Sequence, residues 1–114
     1  MISTNIFESK KTTKEGVNKV ANLGTSELTF DTYYFEPGQV LNYHRHPTGD
    51  QIFVILEGEG VFYLDDGKEE TLPLKPGVTV LAPKNVWHKV LNTGKGVLIA
   101  SQATKQPAGM EART

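Results

Sequence analysis

The chain has three histidines and no cysteine. Two of them, His44 and His46, stand one residue apart in the stretch 38–58, GQVLNYHRHPTGDQIFVILEG. On a strand, alternate side chains leave the same face, so both imidazoles would point one way. Pro47, Thr48, Gly49 and Asp50 read as a tight turn, and Gln51 opens the apolar run IFVIL. A hairpin closing there returns the Gln51 side chain towards the imidazole pair. The third histidine, His88, lies further on, in GVTVLAPKNVWHKVLN. Imidazole nitrogen and amide oxygen bind divalent transition ions at about 2.0–2.2 Å. The chemistry on offer is therefore coordination of a cation by nitrogen and oxygen, with thiolate excluded.

The segments that must position these groups read as short strands. Runs at 17–23, 28–35, 40–46, 51–56, 61–64, 70–74, 78–82, 86–91 and 97–101 are β-leaning. They are separated by turn signals such as Pro37-Gly38, Asp65-Asp66-Gly67, Lys75-Pro76-Gly77 and Pro83-Lys84-Asn85. With no helical period, the spacing predicts an antiparallel sandwich or barrel. One domain is expected over 17–102. A polar N-terminal arm (1–16) precedes it, and a tail (103–114) follows, read as disordered or loosely docked. A net charge of −1 gives no electrostatic reason to expect nucleic acid or an anionic membrane as partner. The N-terminus lacks an apolar signal-like core, and no later run approaches a membrane span. A cytoplasmic protein is expected.

The two histidine regions together resemble the cupin superfamily. The second region matches the family's later motif in Gly77, Pro83, His88 and Asn92, with Asn85 where glycine is usual. Asn is the residue that most readily shares glycine's left-handed conformation. Gly38, His44, His46 and Gly58 match the earlier motif, with Gln51 in the glutamate slot. The resemblance spans about half the chain and implies an all-β fold, the antiparallel double-stranded β-helix or jelly-roll barrel. It also implies that His44, His46, Gln51 and His88 hold one divalent transition metal (Fe, Mn, Ni, Co, Cu or Zn), and that the chain forms a homodimer. The polar arm is then a candidate to add a strand to the partner's sheet edge. Gln51 is the informative departure, because an amide oxygen is a neutral and weaker donor than a carboxylate. It leaves the ion its full charge, favours anionic or enediol-like oxygens, and should hold the metal less firmly.

Each assignment has a plainer counterpart. A His-x-His pair alone is more often a solvated strand face than a ligand pair, and it is His88 at the matching spacing that turns the reading. Asp50 is expected to face away as a turn residue, although a one-residue slip of the turn would make it the ligand instead of Gln51. Trp87 should point opposite to His88. Tyr34, Asn42, Phe53, Ile55 and Val90 are expected to line the pocket. No Ser-His-Asp set, phosphate loop or dinucleotide fingerprint is present, so any reaction would lean on the metal. Two functions stay open. One is a metal-dependent enzyme acting on a sugar acid, diketone or phenolic, as an isomerase, ring-opening enzyme or dioxygenase. The other is a non-catalytic module that binds or senses a small sugar or acid around a structural metal.

Overall fold

A computed structural model describes all residues 1–114. The chain forms ten strands and no helix. They are β1 (Asn18–Gly24), β2 (Leu28–Phe35), β3 (Val40–Arg45), β4 (Gln51–Glu57), β5 (Gly60–Asp65), β6 (Glu69–Leu74), β7 (Thr79–Ala82), β8 (Trp87–Asn92), β9 (Leu98–Lys105) and β10 (Glu111–Ala112). Two five-stranded antiparallel sheets face each other, in the orders β1-β2-β9-β4-β7 and β10-β3-β8-β5-β6. This is the jelly-roll, or double-stranded β-helix, that the motif spacing predicts.

Alternation decides what lies between the sheets. Phe35, Phe53, Ile55, Ala82, Leu98 and Ala100 from the first sheet meet Phe62, Leu74 and Val90 from the second in one apolar cluster. Burying a side chain of Leu, Ile or Phe size contributes about 1.5–3 kcal/mol, so this cluster is the main source of rigidity beneath the histidines. Two motif residues hold the backbone that carries them. Asn85 adopts φ +64°, the left-handed conformation for which it stands in place of glycine. Asn92 is fully buried: its side-chain amide donates to the carbonyl oxygens of Phe35 (3.0 Å) and Gly96 (2.9 Å), and its Oδ1 accepts from Gly94 N (2.9 Å).

The tail departs from expectation. Strand β9 continues past Ser101 to Lys105, pairing with both β2 and β4, and the chain then crosses the barrel to pair β10 with β3. Ala108 is buried, and a Cβ at Gly49 would come within 2.7 Å of the Ala108 Cβ. The Arg113 guanidinium reaches across to Asp65 (2.7 Å) and lies over the rings of Tyr43 and Trp87. The polar character that makes 103–114 look loose is the signature of an edge held by hydrogen bonds and ion pairs. The N-terminal arm also folds onto its own chain: the Tyr34 hydroxyl donates to Ile6 O (2.5 Å), and Lys10 pairs with Glu57 (2.9 Å).

Candidate metal centre

Strand β3 delivers His44, the residue after it delivers His46, and β8 delivers His88, which is paired in register with His44. A bulge between Leu41 and His44 adds one residue to β3 and re-aims the strand. Leu41 therefore faces Val90 in the core, although simple alternation gives that inward place to Asn42. One potential ligand nitrogen from each ring lies within 4.8 Å of those of the other two. His88 is wedged between Phe53 and the parallel ring of Phe62, with centroids 5.8 and 6.0 Å away.

Each ring is oriented by the backbone. His44 Nδ1–H donates to Asn42 O at 2.8 Å, His46 to Gly109 O at 2.7 Å, and His88 to Val86 O at 3.1 Å. A proton held on Nδ1 leaves the lone pair on Nε2, the tautomer a metal ligand needs. Gln51, at the start of β4 and 2 % exposed, is oriented too: its Nε2 donates to Thr104 Oγ1 at 2.8 Å. His46 Nε2, His88 Nε2 and Gln51 Oε1 are buried without any hydrogen-bond partner. Stranding a buried polar atom costs about 1–3 kcal/mol, and two of these acceptors belong to imidazoles whose candidate ligand atoms cluster within 4.8 Å, an arrangement suited to a cation.

The electrostatics agree. Burial, with the neighbouring His44 second, pushes the His88 pKa down to about 3. Burial also lowers that of His44, with the charges of His46 and Lys19 adding to the effect. Both imidazoles are neutral at pH 7, with lone pairs free to donate.

An open cavity of about 460 Å³ lies in front of His44 and His46. Lys19, Tyr33 and Leu41 line it on the barrel side, and Gln106, Ala108, Gly109, Met110 and Ala112 form a wall from the tail. Asn42 lines this cavity as well. Phe53, Ile55 and Val90 lie in the apolar cluster beneath the histidines, not in the cavity wall. Tyr34 is buried on the outer face of its sheet: it shares parity with Thr32, whose hydroxyl meets Ser101 (2.8 Å), while Tyr33 and Phe35 face the core. Asp50 accepts from Lys84 N at 2.8 Å, as a turn residue, and Trp87 stacks beneath Arg45 on the outer surface, 4.3 Å from its ring centroid. Sequence reasoning missed Thr104, Gly109 and Lys19. Thr104 has a signal in hindsight, since it pairs in register with Gln51. Gly109 acts through its carbonyl oxygen, for which no residue type is diagnostic.

Two facing sheets with three imidazoles converging between them define a double-stranded β-helix protein with a candidate metal centre. The chain belongs to the cupin family, whose domain model matches residues 32–100. It is 33% identical over 73 residues to a germin-like protein of Morus alba, covering 62% of this chain and 35% of that protein. It is 38% identical over 58 residues to an oxalate-binding protein of Thermotoga maritima, covering 51% and 46%. The chain thus spans less than half the length of these relatives. The crystal structure of TT1209 from Thermus thermophilus superposes with a TM-score of 0.85 at 25% identity, covering 92% of this chain and 97% of that one.

Proposed function

We propose that the chain is a metal-dependent cupin enzyme acting on a small oxygen-rich molecule, with one divalent transition ion held by His44, His46, His88 and Gln51. The observation that carries this is the set of buried, unpartnered acceptors, His46 Nε2, His88 Nε2 and Gln51 Oε1, each on a side chain fixed from its other end. Three imidazoles and an amide suit Fe, Mn, Co, Ni, Cu or Zn rather than Mg or Ca. When bound, such an ion supplies Lewis acidity towards a substrate oxygen. The chain's own residues do the positioning. Asn42, Val86 and Gly109 carbonyls keep the rings in one tautomer, Thr104 aims the amide, and the tail supplies one wall of the cavity. The cavity in front of His44 and His46 gives substrate a route to the centre.

The alternative is a binding or sensing module, and the relative named as an oxalate-binding protein favours keeping it. One experiment separates the readings. Metal content is measured on untagged protein and on His44→Ala, His46→Ala and His88→Ala variants, followed by turnover and calorimetric binding on a panel of uronates, diketones, catechols and small acids. Metal lost in all three variants together with metal-dependent turnover supports the enzyme. Binding without consumption supports the module, and full metal retention in all three variants removes the site.

Self-association belongs to the same proposal. Leu81, Ile52, Ala103, Phe30 and Leu23 stand in register across all five strands on the outer face of the first sheet, with Ile52 and Leu81 half exposed. A second copy meeting this row would cover it. Sedimentation velocity should show a dimer at micromolar concentration, and Ile52→Lys should shift it to monomer.

A further inference from the structure

We propose that the cavity in front of the histidines selects a short organic acid, with one oxygen function directed to the metal and a free carboxylate held by the Lys19 ammonium. This deepens the metal-site reading and rests on it.

The argument is one of charge. Lys19 is the only charged side chain lining the cavity, apart from whatever protons the imidazoles carry, and no carboxylate lines it. The donor set described above is neutral throughout, so the ion's two positive charges are not offset by the protein. Lys19 lies on β1 in register with Tyr33. Its nearest counter-charge, Asp31, is 3.7 Å away, beyond hydrogen-bond distance. Asp31 steadies the ammonium without saturating it, and an ammonium has three N–H donors to give. An ion at the histidines and an ammonium on the same cavity wall would both favour an anion, the ammonium's charge being only partly offset by Asp31. Leu41, Ala108, Met110 and Ala112 present apolar surface, which suits a short carbon body, while Tyr33, Asn42, Tyr43 and Gln106 bring neutral polar groups to the same wall. A neutral diol or diketone would leave the ammonium unused, whereas a carboxylate accepts charge-assisted hydrogen bonds from it.

The test uses the full chain loaded with Co(II), whose visible spectrum reports both metal binding and ligand exchange. Malonate and succinate are each titrated against their monoamides, which keep one carboxylate for the metal and neutralise the other end. The diacid of better fit should bind on the order of tenfold more tightly than its monoamide, as expected of a charge-assisted contact. Lys19→Met should bring that ratio to within about twofold with cobalt content unchanged, and Lys19→Arg should restore it. A ratio unaffected by Lys19→Met, or no preference for either diacid in the parent, overturns the assignment of Lys19. A parent chain that gives no cobalt spectrum before any acid is added overturns the metal site itself, and this inference with it. The two failures are thus distinguishable.

Discussion

Thr104→Val is the most searching single substitution at this centre. It exchanges a hydroxyl for a methyl of similar volume, so no cavity opens, and its effect is confined to the bond that Thr104 Oγ1 accepts from Gln51 Nε2. Because Gln51 is 2 % exposed, the freed N–H cannot turn to water. The metal-free protein should lose about 1–3 kcal/mol, the cost of an orphaned buried donor. If Gln51 Oε1 is a ligand, the loosened amide should also weaken metal binding by about 10- to 100-fold, the usual effect of removing a group that orients a ligand. Guanidinium denaturation of the metal-free chain measures the first quantity, and zinc competition against a chelating dye measures the second. Thr104→Ser, which keeps the hydroxyl, should retain most of the metal affinity. A Thr104→Val protein that shows the stability loss yet binds zinc within twofold of the parent would refute the reasoning. It would leave three histidines as the whole protein contribution.

Three further outcomes are expected. Gln51→Glu supplies a carboxylate where the donor set is otherwise neutral, so metal should be retained and bound more tightly, as read by the same dye competition. Acid should destabilise the metal-free chain. His88 titrates near 3 when folded and near 6.5 when unfolded, so between those values the unfolded chain binds more protons. Stability is then fully present above about pH 6.5 and declines as pH falls towards 3, by about 1.4 kcal/mol per unit for this group, and His44 shifts in the same direction. Denaturation midpoints at pH 7.5 and 4.5 check this, and a midpoint flat over that interval would contradict it. Removing residues 107–114 deletes the Gly109 carbonyl that orients His46 and the wall formed by Ala108, Met110 and Ala112. Metal affinity should drop at least tenfold while far-ultraviolet circular dichroism stays β-like.

Much of this architecture is legible in the residue order, for physical reasons that also mark where legibility stops. Strands whose two faces differ in polarity announce themselves by alternation, and turns announce themselves by Gly, Pro and Asn. The nine runs read from the sequence correspond to β1–β9, with small differences at their ends. Asn85 in a glycine position foretold its left-handed backbone. The convergence of the three histidines followed from parity and motif spacing. Alternation fails where the backbone departs from it or where contacts are not made by side-chain type. The bulge before His44 put Leu41 into the core register expected of Asn42. Tyr34 is buried on the outer face because the arm covers it, and one-strand parity cannot foresee such a cover. The tail escaped because its hold on the barrel is polar and runs through backbone carbonyls, ion pairs and Arg113 stacking, which no hydrophobic pattern records.

The hydrogen bond between His46 and Gly109 joins positions 63 residues apart. During synthesis His44 and His46 leave the ribosome well before the carbonyl that fixes the second of them. An ion meeting the nascent chain at that stage would find His46 without its Gly109 partner and no tail wall beside the imidazoles. On the metal-site reading proposed above, tight capture would become available only when the closing segment has been made and has crossed the barrel.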